Sequence, residues 1–348
     1  MLQLGVLDQS IATAGRSHGE AINRTIALAQ HCERLGYARF WMSEHHNSPT
    51  IVGSAPEILI AAIAMKTSRI RIGSAGIMLP HYSPLKVAEV FRVLDALAPG
   101  RIDLGLGRAP GSDGITAFAL HPMANEKPEH FPSEVMELLA WVYGVDLPAD
   151  HPFAKVKAYP QGETKPEVWI LGSSNYGAQV AAHFGLPYSF AWHFTDGRGG
   201  AEAIDLYRKL YKPSARFPKP HAGLGVWALV CDTEEEAQYH YASRLKWQLF
   251  RNRGIYTAID PPDVALAHPY TAEERARMDE LRGRAMVGTV DKVAAEIRAL
   301  AERTGVEDIA VVCWTHDEEV RRKSYALLAE AFGLSVPPPS EAPAATAR

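Results

Sequence analysis

The chain has 348 residues, 47% of them hydrophobic and 22% charged, the composition of a globular protein with a large core. Its net charge of −4 argues against nucleic acid or an anionic membrane surface as the main partner. No apolar run approaches the roughly 20 residues a membrane helix needs, the start MLQLGVLDQS lacks the basic residues of a signal peptide, and Cys32, Cys231 and Cys313 form no CxxC pair, so a reduced, cytoplasmic protein is expected.

Strand and helix signals alternate along the chain. LQLGVLD (2–8) reads as a strand and is followed by an amphipathic stretch from Ser17 to Gly36. ARFWMSE (38–44), RIRIGSAGIML (69–79), RIDLGLG (101–107), EVWILGSS (167–174), PYSFAWH (187–193), GLGVWALVC (223–231) and DIAVVCW (308–314) complete eight strand candidates, and a helical pattern follows nearly all of them. Between them, APEILIAAIAMKT (55–67) reads as a helix, SPLKVAEVFRVLDAL (83–97) opens with a serine cap and Pro84 in its first turn, and NYGAQVAAHFG (175–185) starts directly after a strand. Repeated strand–helix units mean a parallel sheet, and eight of them without a linker predict an α/β (β/α)8 TIM barrel. An open nucleotide-binding sheet would need GxGxxG after its first strand, and LGVLDQS supplies none. Residues 1–335 are therefore expected to form a single barrel domain, with insertions after strand four (108–165) and strand seven (250–287), and the Pro/Ala-rich tail 336–348 is expected to be disordered.

In such a barrel the active site lies at the C-terminal ends of the strands. That places Asp8 and Gln9, the run Glu44-His45-His46, the small residues Ser74-Ala75-Gly76, Gly107-Arg108, Gly172 to Tyr176, and Trp192-His193 on one rim. Adjacent imidazoles point in different directions on extended chain and strand one lacks His-x-His, so a catalytic metal is disfavoured; proton handling and simple loop hydrogen bonding stay open. Small residues near 75–76 and 105–107 let a flat ligand approach the backbone. Arg108 offers a permanently charged fork, and Gly172, Ser173 and Ser174 before a helix offer hydroxyls and unpaired amides, so both suit one phosphate.

Four stretches in this order, WMSEHHN, IGSAGIMLPHYSPLKVAE, LAPGRIDLGLGRAPGSD and VWILGSSNYGAQVAAHFGLP, resemble the luciferase-like flavin monooxygenases over residues 1–335. The resemblance implies a barrel binding FMN, usually as a dimer, and using reduced FMN and O2 on a small organic substrate, with the flavin reduced by a separate NAD(P)H-dependent reductase. It implies that His45 is the catalytic histidine, with Glu44 or Asn47 orienting it and His46 as a possible partner. It further implies that Ala75–Gly76 is a non-proline cis peptide beside the flavin ring, that Arg108 and Ser174 bind its phosphate with Tyr176 near them, and that 250–287 is a mobile lid. The luciferase catalytic subunit carries a reactive cysteine where this chain has Gly107, so light emission is not expected. A flavin-binding protein without turnover and a deazaflavin-dependent oxidoreductase are the alternatives.

Overall fold

The computed structural model describes residues 2–109, 113–123 and 129–336. Its strands are β1 (Gln3–Asp8), β2 (Arg39–Met42), β3 (Arg71–Met78), β4 (Ile102–Gly107), β5 (Glu167–Gly172), β6 (Tyr188–Phe190), β7 (Ala222–Cys231), β8 (Met286–Thr289) and β9 (Asp308–Val312). The helices are α1 (His18–Leu35), α2 (Pro56–Ala64), α3 (Pro84–Leu97), α4 (Gly114–Leu120), α5 (Phe131–Tyr143), α6 (Asn175–Phe184), α7 (Trp192–Thr195), α8 (Gly200–Leu210), α9 (Glu234–Arg251), α10 (Pro262–Leu266), α11 (Ala272–Arg282), α12 (Val290–Thr304) and α13 (Glu318–Ala331). All strand pairings in the sheet are parallel. They run from β1 through β2, β3, β4, β5, β6 and β7 to β9, which pairs back with β1 and closes the expected (β/α)8 barrel.

Local sequence explains the best-placed boundaries. Ser17 and Glu20 form a reciprocal capping box at the start of α1, and Gly36, with φ 87°, ends it in the left-handed conformation that glycine adopts without steric cost. Ser83 stands at the N-cap of α3 but makes no side-chain cap bond, and Pro84 occupies the first turn as expected. Buried on both faces, the strands read as continuous apolar runs, β7 along its whole length.

One expectation is corrected. The sixth strand ends at Phe190, and Trp192 already belongs to the short helix α7. The insertion after strand seven is a folded excursion: it carries α10, α11 and β8, which pairs with Ala228–Cys231 at the far end of β7. The insertion after strand four carries α4 and α5. The expected disordered tail lies, from residue 337 onward, outside the described residues.

Beneath the rim, the barrel interior holds an ionic layer. Arg39 of β2 pairs with Asp103 of β4 at 3.0 Å and with Asp308 of β9 at 3.2 Å, and all three are buried. Glycines on intervening strands make the room: a Cβ at Gly5 would stand 2.6 Å from Arg39 Cγ, and one at Gly73 2.5 Å from Asp103 Cβ. The guanidinium stacks over Trp41 at 5.3 Å and Trp169 at 4.7 Å. Arg39→Met removes the cation that Asp103 and Asp308 share, leaving Asp103 to Arg71 and Asp308 to His221, and is expected to destabilise the fold by roughly 1.5–3 kcal/mol, the range for a hydrogen bond to a charged group; urea unfolding checks this, and an unchanged midpoint would contradict it.

Candidate active site

A cavity of about 350 Å³ opens at the C-terminal ends of the strands. Leu7 in β1 and Gln9 after it, Trp41 in β2 and Ser43 after it, Ala75 and Gly76 in β3, and Gly107 and Arg108 at the end of β4 line it. Gly172, Ser173, Ser174 and Tyr176 at the β5–α6 junction complete one side. Every residue expected to bind cofactor thus meets at one cavity.

The Ala75–Gly76 peptide is cis, and the β3–β4 register shifts between Ser74 and Ile77. A Cβ at Gly76 would come within 2.8 Å of Gly105 O and Leu171 Cδ1, so the strands themselves require glycine there. Gly107 differs: among the described residues a Cβ would meet only Ile77 O, at 3.8 Å, an ordinary van der Waals distance. Arg108 is exposed and lies 3.9 Å over the Tyr176 ring, which fixes its direction beside the start of α6. Ser174 is the N-cap of α6, yet its side chain accepts no cap bond, so hydroxyl and helix amides stay available to a ligand.

The run Glu44-His45-His46 divides by alternation. Continuing the inward face of Arg39, Trp41 and Ser43, His45 lines the cavity, with Nδ1 3.2 Å from Ser43 Oγ. Glu44 is fully buried and accepts from Met78 N at 2.9 Å, Tyr82 Oη at 2.7 Å and His46 Nε2 at 2.8 Å. Glu44 therefore clamps the end of β3 and holds His46. Neither Glu44 nor Asn47 orients His45: Ser43 takes that place, and the Asn47 amide instead donates to Asp113 Oδ2 and Thr116 Oγ1. Asp8 also leaves the cavity. It faces the helix layer, where it is fully buried, pairs with Arg321 and accepts from Thr25 Oγ1 at 2.7 Å.

Burial pushes His45 down to about 4, and the Glu44 charge only partly opposes that shift. His193, which donates from Nδ1 to Gly225 O at 2.8 Å, is likewise pushed down to about 4 by burial. Both imidazoles are neutral at neutral pH, the state from which a ring can take a proton.

A second chamber of about 380 Å³ adjoins the first, and Gln9, His45, His193 and Phe194 line both. Its remaining walls include His46, Ile51, Trp227, Arg244, Trp247 and Trp314. Sequence reasoning missed Arg244, although Arg244, Trp247, Gln248 and Arg251 keep the i, i+3, i+4, i+7 spacing of one helix face, two of them cationic.

The family model for luciferase-like monooxygenases matches residues 2–308. The chain belongs to the luciferase-like monooxygenase family. Among its relatives, the Bacillus subtilis (strain 168) protein YwcH is 43% identical over 95% of this chain and 99% of its own length. The N-acetyl-S-alkylcysteine monooxygenase of the same organism is 34% identical over 95% of this chain and 98% of its own. The crystal structure of apo-MsnO8 superposes with a TM-score of 0.87 at 36% identity, covering 96% of this chain and 99% of that one. Among the described residues no helix is long and apolar enough to cross a membrane.

The two half-buried imidazoles give the fold a pH dependence. Each ring ordinarily titrates near 6.5 and is held near 4 in the folded chain. Between those values the unfolded state binds more protons, so their contribution is complete above pH 6.5 and is lost as pH falls toward 4. Urea midpoints measured over that range are expected to decline, with a shallower decline in His45→Gln; equal slopes in parent and variant would contradict the reading.

Proposed function

We propose that this chain is an FMN-dependent monooxygenase acting on a small organic substrate, with reduced flavin delivered by a separate NAD(P)H-dependent reductase. The observation that carries this reading is the convergence of a stacked cation, an uncapped helix start and a flat glycine-bordered wall on one cavity beside a neutral imidazole. The residues present fit FMN. Arg108, Ser173, Ser174 and the first amides of α6 would hold its phosphate; Ala75, Gly76 and Gly107 would border its ring, with Gly172 and Tyr176 between the two. When bound and reduced, the flavin supplies the oxygen-activating chemistry.

The protein's own part is placement, dryness and proton handling. Trp41, Leu7 and Phe131 line the cavity with apolar surface, which excludes water from reacting groups. His45 has Nδ1 engaged with Ser43 and Nε2 left to exchange a proton with substrate. Glu44 and His46 act through position, keeping the loop after β2 against the end of β3. The absence of a GxGxxG after the first strand favours a reductase on another chain. The relative named for N-acetyl-S-alkylcysteine supports a small organic substrate.

The reading is tested by reduced-FMN-dependent oxygen uptake, which is expected to rise when an organic substrate is added. Tight FMN binding with no substrate-stimulated uptake would instead mark a flavin-binding protein without turnover, and selective binding of a deazaflavin would reassign the cofactor. Arg108→Ala is expected to weaken FMN binding by roughly 1.5–3 kcal/mol, the range for a hydrogen bond to a charged group, while riboflavin, which lacks phosphate, binds parent and variant equally. Flavin fluorescence titration decides, and unchanged FMN affinity would remove Arg108 from the site. His45→Ala is expected to keep FMN affinity and lose ~10²–10⁴-fold in substrate-coupled turnover, the weight of general acid–base catalysis; equal loss in His46→Ala and none in His45→Ala would reverse the assignment.

A further inference from the structure

The second chamber holds a cation to which, among the described residues, no carboxylate bonds. Arg244 of α9 is 7% exposed, yet among the described residues it makes no hydrogen bond and no ion pair. Its guanidinium stacks over Trp227 at 4.3 Å and Trp314 at 5.2 Å, and its buried Nε finds no acceptor. Two more polar atoms on the same wall are buried and unpartnered, Trp227 Nε1 and His193 Nε2. Two turns farther along α9, Arg251 lines the same chamber over Trp247, also without a carboxylate partner among the described residues. Burial lowers Arg244 to about 10, so it stays charged at neutral pH.

Buried charges are ordinarily paired, because an unpaired one carries its full desolvation penalty. Here the aromatic sandwich supplies partial compensation and fixes the fork's plane, and among the described residues no carboxylate bonds to it, Asp196 acting only as a nearby charge. Asp113, the acidic residue in this wall, is engaged with Asn47 and Thr116. Asp196, which shares a smaller neighbouring pocket with Arg244 and favours its charge from there, pairs instead with Arg284 at 3.8 Å. An arginine fork held rigid and unsatisfied beside a cavity matches a planar carboxylate.

We propose that the second chamber binds the substrate, and that the substrate is a small organic acid whose carboxylate pairs with Arg244 while its apolar body lies among Trp227, Trp247, Trp314 and Ile51. The acid group then sits on the α9 side, and the other end of the molecule reaches His45 and His193, where the two chambers meet. Arg244 does not line the first cavity, so this anion site is separate from the phosphate cradle at Arg108. The proposal rests on the monooxygenase reading for its substrate role but on Arg244 alone for its ligand chemistry.

Binding is followed through the fluorescence of the tryptophans in the chamber, with phenylacetate, 3-phenylpropanoate and hexanoate as probes and the primary amide of each as its uncharged match. At neutral pH the parent is expected to bind at least one acid roughly 10–100-fold more tightly than its amide, the weight of one charge-assisted hydrogen bond. In Arg244→Gln that preference is expected to collapse to near unity with amide affinity and FMN affinity unchanged, and Arg244→Lys is expected to keep part of it. Equal binding of acids and amides by the parent, binding of neither, or a preference that survives in Arg244→Gln would each overturn the proposal. The parent's own acid-over-amide ratio needs no variant, so a misfolded Arg244→Gln leaves the test intact. Loss of FMN affinity in Arg244→Gln would make this arginine a second phosphate clamp and also overturn it. FMN binding and oxygen uptake without an acid preference would sink this inference and leave the monooxygenase reading standing. An acid preference without FMN binding would do the reverse.

Discussion

Arg39 is the side chain on which the rest of the barrel depends. It brings β2, β4 and β9 together through Asp103 and Asp308 in a space that glycines on the strands between them keep clear. Trp41 Nε1 donates to the same Asp103 at 2.8 Å, so one ion cluster sets the position of the cavity floor. Away from water such a cluster is costly to assemble and costlier to break, since each charge depends on the others for its solvation. The site above it inherits that rigidity: Trp41 is fixed from below, and Ser43 and His45 follow it on the same face of the chain.

The fold was legible because its signals are local. Eight apolar runs, nearly all followed by a helical pattern, led to the barrel, and capping residues such as Ser17 and Gly36 marked helix ends to the residue. β8 was not legible: four residues within a charged stretch carry no periodic signal, and their pairing with β7 comes from tertiary contact. The sixth strand was overextended because Ala191, Trp192 and His193 are as apolar and aromatic as the strand before them, and the turn into α7 has no glycine or proline to mark it.

The site was legible in part. His45, Arg108 and Ser174 stood out through the order of four stretches, and they do meet at one cavity. Which imidazole faces inward follows from alternation with Arg39 and Trp41, a parity already present in the sequence. The work of Glu44 was hidden because its partners, Met78 and Tyr82, lie 34 and 38 residues away. Arg244 was hidden for a different reason. A lone arginine in an amphipathic helix normally reads as solvated, and only the surrounding indoles reveal that it is not.

The double pairing of β7 bears on how such a chain can diverge. Its first half joins β9 to close the barrel and its second half carries β8, so the excursion between β7 and β9 is fastened to the wall without being part of its closure. Arg244, Trp247, Arg251 and Tyr256 of the second chamber lie in that excursion or on the helix leading into it, whereas the first cavity is built from the strands before it and Ala310 of β9, none of its lining coming from the excursion. Insertions and substitutions there can therefore accumulate without disturbing the cofactor-facing half, so selection can rework what the chamber accepts independently of the chemistry next door.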